Sequence, residues 1–400
     1  MLYSVAIIGG GFSGLCSAVR LGEELGAQIV ILEANKRIGK KILSTGNGQG
    51  NITNVNVSEQ FYHGDVDFAK KGLKRFSNNE LLNFFDKLGL ITAVKEGKVY
   101  PASFTAGAIL DVLRFKLEEL KVEIKCEASV VSISKKNNFC IECSNGEKIY
   151  AKKVICAFGG SSGAGFMTDG SSYKLLTSLG HSLTRITPSL VQLKTEREKL
   201  KGLKGIKQEA IVSLYDGVRH VKDFEGDVLF TDYGVSGNSI FSISAYLSEV
   251  KKPILKIEYL PTVSAETLID KITKKCDGKS EWEKVLVSVL PTRLIYAIMR
   301  ECNLSHTDIA KKNDVYNVVC AIKGFSLKVE GPAGFESSQV TSGGISTAEI
   351  NAHDMQSKII SDLYVVGEAL NVDGNCGGYN LQWAYTSAMI ASEGILNEKG

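Results

Sequence analysis

Between Tyr3 and Glu33 the chain runs through a pattern that few folds can absorb. A β-branched run, Tyr3–Ile8, passes directly into Gly9-Gly10-Gly11-Phe12-Ser13-Gly14, then into an apolar-periodic stretch to Leu25. A second apolar run, Gln28–Leu32, ends at Glu33. The spacing predicts a strand, a turn, a helix from about Phe12 to Leu25 and a parallel strand. Gly9 permits the tight turn, Gly11 lets a pyrophosphate approach the backbone, and Gly14 lets helix and strand pack closely. The helix start offers N–H groups and partial positive charge to phosphates. Glu33 can accept from the ribose hydroxyls of an adenosine and would repel a 2′-phosphate. Ser13 and Ala34 fall beside these contacts. The expectation is a Rossmann-like α/β domain holding a dinucleotide.

The far end of the chain repeats the device. Leu363–Val366 reads as a strand ending at Gly367-Glu368. The run Asp373-Gly374-Asn375-Cys376-Gly377-Gly378-Tyr379-Asn380-Leu381-Gln382 then leads into a helix from about Leu381 to Leu396. A lone NAD on the first junction has no use for a second one. FAD does, because a second helix start can face the N1–C2=O edge of reduced flavin. Gly159-Gly160-Ser161-Ser162-Gly163 also follows a strand, but no second clean GxGxxG marks a separate NAD domain.

Four hundred residues exceed what one hydrophobic core usually supports. The glycine-punctuated style gives way at about residue 188 to lysine-rich strands and a helical stretch, then returns near 331. The expected organisation is an FAD-binding domain made of 1–187 and 331–400, with 188–330 inserted as a β part plus a helical subdomain at about 261–321. Helices are expected at Asp65–Phe76, Asn79–Leu88 and Ala106–Leu120. Lys36–Val55 is a long polar loop, and loops of that length in compact domains are usually functional. A formal net charge of +3, with no basic stripe interleaved with aromatics, implies no nucleic-acid partner. Nine scattered cysteines fit reduced thiols and a cytoplasmic setting. Cys140 and Cys143 form a CxxC, but they lie on an alternating strand pattern and no second pair completes a metal site. The first apolar run, Val5 to Ile8, is far too short to span a membrane.

Several further segments are matched in order by one family. These are Gly39-Lys40-Lys41-Ile42-Leu43-Ser44-Thr45-Gly46-Asn47-Gly48, Asn51-Ile52-Thr53-Asn54, Leu229–Gly237, Thr341-Ser342-Gly343-Gly344-Ile345 and Cys376–Gln382. Over essentially its whole length the chain resembles the BaiN/YhiN-like flavoproteins, relatives of the glutathione-reductase-type FAD fold. The resemblance implies that Lys40, Lys41, Thr45, Gly46 and Asn47 lie along FAD and that the Val131 backbone holds the adenine. It puts Gly159 in the FAD domain, and Gly367, Glu368, Asp373 and the Gly378–Leu381 turn (with Tyr379 and Asn380) around the ribityl chain and isoalloxazine. Two positions depart from the family pattern. Gln49-Gly50 stands where Arg-Cys is common, and Asn238 where proline is.

The resemblance implies an oxidoreductase that takes hydride from NADH or NADPH and reduces a small-molecule enone of the 3-oxo-steroid or bile-acid type. Tyr233 is the expected proton donor, since a tyrosine stays protonated at neutral pH. Two alternatives stay open: an amine or alcohol oxidase, and a flavin-carrying RNA-modifying or non-catalytic protein.

Overall fold

A computed structural model describes residues 1–397. They divide into two compact units, 1–188 with 335 onward, and 189–334.

In the first unit, β1 (Leu2–Ile8) runs parallel to β2 (Ile29–Leu32), with α1 (Phe12–Leu25) between them. All four residues of β2 are buried, as a strand covered on both faces requires. Next come β3 (Thr53–Asn54), β4 (Tyr62–Gly64), α2 (Val66–Arg75), α3 (Asn78–Lys87), β5 (Thr92–Lys95), β6 (Lys98–Pro101) and α4 (Ala106–Glu119). α2 buries Ala69, Gly72 and Leu73, spaced three and four apart, as an amphipathic helix does. β7 (Glu123–Lys125), β8 (Val130–Lys135), β9 (Phe139–Cys143) and β10 (Lys148–Cys156) complete the first pass, followed by α5 (Tyr173–Thr177) and β11 (Thr187–Ser189).

The main sheet has the order β7-β2-β1-β10-β9-β8. β7, β2, β1 and β10 are parallel, while β9 and β8 form an antiparallel extension. The CxxC lies on β9. There Phe139, Ile141 and Cys143 face the core and Cys140 falls on the other face, so the two thiols point apart.

The second unit is built on a six-stranded antiparallel closed barrel, a more definite form than the expected β part. Its strands are β12 (Leu193–Thr195), β13 (Lys207–Asp216), β14 (Arg219–Phe230), β15 (Gly234–Ser236), β16 (Pro253–Tyr259) and β17 (Phe325–Pro332), closed in the order β12-β15-β14-β13-β16-β17. Along β13, Ala210, Val212 and Leu214 point inward and are fully buried. α6 (Asn238–Ser244) follows β15. α7 (Ala265–Lys275), α8 (Trp282–Leu286), α9 (Thr292–Glu301) and α10 (Val315–Lys323) then form the helical part, with Trp282 fully buried. β17 runs through Pro332, so residue 330 lies inside a strand.

Back in the first unit, β18 (Val340–Ser342) and β19 (Leu363–Val365) precede β20 (Val372–Gly374) and α11 (Tyr379–Asn397). β19 joins β10 in parallel, which puts the second junction on the same sheet as the first. α11 begins at Tyr379, two residues before the expected start. Gly378, at φ +98, completes the preceding turn, and the Gln382 N–H already donates to the Gly378 carbonyl at 3.0 Å. Among the described residues no helix is long and apolar enough to cross a membrane, and no three metal-ligating side chains cluster.

Candidate cofactor site

The first junction is an open cradle. A Cβ built on Gly11 would meet nothing within 4 Å, although Gly14 beside it is crowded, its Cβ position 2.0 Å from the Gly9 carbonyl oxygen. α1 has no side-chain cap and no acidic residue in its first turn. Its leading N–H groups and dipole are thus left to an anion, and the space that the anion needs is present. Glu33, 8% exposed, stands at the end of β2. Its Oε2 accepts the Gly10 N–H at 2.8 Å, and its Oε1 accepts from the Asn35 backbone and side-chain nitrogens, both at 2.7 Å. Each carboxylate oxygen has two lone pairs, so Oε2 keeps one for a ribose hydroxyl. These residues fit the adenosine and pyrophosphate of FAD. Ala34 is half-buried in the same corner.

Asn35 drew no attention in the sequence, yet it ties this corner together. Its amide also donates to the Phe166 carbonyl at 2.9 Å, and Lys40 Nζ donates to the Gly165 carbonyl at 2.9 Å. Lys40 therefore anchors a backbone segment. The polar loop is partly ordered by a broken 3₁₀ turn over Ile42–Gly48, within which Thr45 is extended and Gly46 and Asn47 are left-handed. Thr45 Oγ1 donates to the Ile42 carbonyl at 2.6 Å. Gly50 closes the loop at φ +78. A Cβ there would stand 2.9 Å from the Ala106 Cα and 2.8 Å from the Ile109 Cδ1. α4 occupies the space that a side chain at this position would need, so the departure at Gly50 is built into the packing.

The second junction is joined to the first by close contacts. A Cβ on Gly367 would lie 2.9 Å from Ser13 Oγ. Gly367 is held by its N–H to Ser387 Oγ at 2.9 Å and by Trp383 Nε1 donating to its carbonyl at 3.2 Å. Glu368 pairs with Lys41 at 2.7 Å, and its other oxygen accepts the Thr341 N–H at 2.9 Å. Thr341 Oγ1 in turn accepts the Ser161 and Ser162 N–H groups, at 2.7 and 3.0 Å. This ties the Gly159 turn (φ +82) after β10 to the same point. Burial, and then the Glu368 carboxylate, push the nearby Tyr173 phenol well above its ordinary range.

The turn into α11 is packed shut. A Cβ on Gly378 would stand 2.5 Å from the Thr53 backbone. Thr53 Oγ1 donates to the buried Gln382 at 2.7 Å. Asn380 pairs both ways with the Gly374 backbone, accepting its N–H at 2.8 Å and donating to its carbonyl at 2.7 Å. The Tyr379 ring stacks on Phe61 at 4.7 Å, and burial raises its phenol to about 12. Leu381 packs half-buried on the core and Asp373 is fully buried in β20, opposite His63. The expected Gly378–Leu381 turn is therefore the end of a turn and the first turn of a helix. The side chains of Tyr379, Asn380 and Leu381 hold that corner in place, which leaves backbone N–H groups as its offering to a ligand.

Two expected residues take no part in the hydrogen bonds described above. Val131 lies where the β8–β9 register shifts, its side chain 56% exposed, three residues after Ala128, whose N–H donates to the Glu33 carbonyl at 2.9 Å. Tyr233 lies in the barrel unit between β14 and β15, half-buried, its carbonyl accepting the Thr195 N–H at 3.1 Å.

An open glycine corner at the start of α1, a buried carboxylate ending β2 and a second glycine junction on one parallel sheet suit FAD, and the family to which the chain belongs is one of FAD-dependent oxidoreductases. The chain belongs to the family described as HI0933-like protein Rossmann domain, whose model matches residues 3–394. It is 33% identical over 398 residues to a 3-dehydro-bile acid delta(4,6)-reductase of Clostridium scindens, covering 97% of each chain. It is 30% identical over 401 residues to a ribosomal RNA dihydrouridine synthase of Haemophilus influenzae, again covering 97% of each. Among solved structures, it is similar to a 3-ketosteroid delta1-dehydrogenase from Sterolibacterium denitrificans, with a TM-score of 0.52 at 12% identity over 99% of this chain and 100% of that one. That likeness speaks to the fold.

Proposed function

We propose that this protein is an NAD(P)H-driven reductase of a carbon–carbon double bond conjugated to a carbonyl, acting on an enone of the 3-oxo-steroid or bile-acid type. The observation that carries the reading is the likeness to the bile-acid reductase, which spans both glycine junctions and nearly all of both chains.

FAD would lie with its pyrophosphate on Gly9, Gly11 and Ser13 at the start of α1, its adenosine ribose on Glu33 and Ala34, and its adenine on the Val131 backbone. Lys40, Lys41, Thr45, Gly46, Asn47 and Gly159 would follow its length. Gly367, Glu368, Asp373 and Gly378–Leu381 would surround its ribityl and ring portions. Bound flavin supplies hydride acceptance and donation at its ring. The chain's own residues orient it. The α1 dipole and N–H groups would offset phosphate charge, and the Lys41–Glu368 pair ties the polar loop to the second junction. The α11 start would lend its positive potential to the part of the flavin that becomes electron-rich on reduction.

A second reading is favoured by the dihydrouridine synthase relative. A dihydrouridine is a uridine whose C5=C6 bond, conjugated to the C4 carbonyl, has been reduced. The same hydride-and-proton addition serves both substrates. The purified protein, NADPH and either a 3-oxo-4-ene steroid or unmodified ribosomal RNA decide between them. NADPH consumption with saturated ketone formed from the steroid supports the first reading. Dihydrouridine in the RNA with the steroid untouched replaces it with the second.

A further inference from the structure

We propose that Tyr100 is the catalytic acid of this reduction, the group that gives the proton to the α-carbon; the assignment rests on the enone-reductase reading above.

Tyr100 lies in β6, only 9% exposed. The edge of its ring would be 3.5 Å from a Cβ on Gly46, so it backs the left-handed turn of the polar loop. The Phe104 ring holds its other side, with centroids 5.5 Å apart. Its neighbour Val99 pairs with Thr53, the residue on which Gly378 closes. Lys98, on the same strand, reaches within 3.6 Å of a Cβ position on Gly377. Tyr100 thus stands between the Thr45–Asn47 turn and the second glycine junction, the two segments that the reading places along the flavin.

The hydroxyl at the end of this buried ring bonds to no described residue, and its oxygen is not sealed from solvent. A phenol held between the Gly46 turn and the Phe104 ring, with a free O–H, is in the condition of a donor awaiting an acceptor. Burial raises its pKa, with the neighbouring Glu96 carboxylate acting in the same direction, so it carries its proton at neutral pH. It remains a far stronger acid than the ketone α-C–H that it would form.

The step balances. The β-carbon receives a hydride, with its electron pair, from reduced flavin. The α-carbon receives the proton as the Tyr100 O–H bond breaks, so C=C becomes CH–CH. The phenolate takes a proton back from water, and NAD(P)H restores the two electrons.

The test uses FAD-loaded wild type, Tyr100→Phe and Tyr233→Phe, reduced with dithionite and mixed anaerobically with a 3-oxo-4-ene steroid in heavy water. Tyr100→Phe is expected to keep its flavin and the wild-type Kd for the steroid, read from oxidised-flavin absorbance. Its reoxidation should slow by about 100-fold or more. The deuterium at the α-carbon should lose its single configuration, an outcome that a merely structural role would not give. Reoxidation at the wild-type rate with configuration retained overturns the assignment, as does the same loss appearing in Tyr233→Phe instead. Wild type that the steroid fails to reoxidise sinks the enone reading, and the assignment with it. Wild-type turnover alongside an unaffected Tyr100→Phe sinks the assignment alone.

Discussion

At the start of α1 a Cβ on Gly11 would meet nothing within 4 Å, whereas at the start of α11 a Cβ on Gly378 would stand 2.5 Å from the Thr53 backbone. Both positions are glycine at a strand-to-helix corner, but the first keeps a space empty and the second lets two backbones touch. Gly11 has φ −82, a value open to any residue, so its lack of a side chain is not demanded by the backbone and leaves the space beside it open. Gly378 has φ +98, so its lack of a side chain serves the chain itself. One corner is left open, and the other is closed against the chain's own backbone.

The largest expected effect follows from the closed corner. Gly378→Ala forces a Cβ against backbone at a φ that alanine resists. It should destabilise the apoprotein by about 3–5 kcal/mol, checked by urea unfolding. Gly11→Ala should leave apoprotein stability within about 0.5 kcal/mol yet weaken FAD about 100-fold, roughly 2.7 kcal/mol, measured by flavin fluorescence titration. Equal stability losses in the two variants would erase the distinction. Gly50→Cys should cost about 1–3 kcal/mol, because its Cβ meets the Ala106 Cα of α4. A neutral result would mean that the loop moves freely off α4. The smallest effect belongs to Glu368→Gln. It removes the half-exposed pair with Lys41 but keeps an oxygen for the Thr341 N–H, and should shift stability by about 1 kcal/mol or less.

The open corner was legible in the sequence because its requirements are local. A buried strand, three glycines at fixed spacing and an acidic residue ending the next strand are all read within one βαβ unit. The closed corner was legible only as punctuation. The resemblance puts Tyr379 and Asn380 around the flavin; in the fold the Tyr379 ring also stacks on Phe61 and the Asn380 amide pairs with the Gly374 backbone. Phe61 and Thr53 lie more than three hundred residues upstream, and nothing in the local pattern announces such partners. Asn35 was missed for the same reason, since its task depends on the Phe166 carbonyl. So was Tyr100, an unremarkable tyrosine in a short strand until the Gly46 turn and the Cys376 loop close around it. The inserted unit read as lysine-rich strands and helices. That its strands close into a barrel depends on β12 meeting both β15 and β17, a pairing over long separation.

The most direct test is an anaerobic titration of the purified flavoprotein, followed at the ~450 nm band of oxidised flavin. The expected result is bleaching by NADH or NADPH and recovery on adding a 3-oxo-4-ene steroid, with Gly11→Ala retaining little flavin to bleach. Bleaching by amines or alcohols with recovery only in air would contradict the reductase reading. A Gly11→Ala protein that holds FAD as tightly as wild type would contradict the cradle.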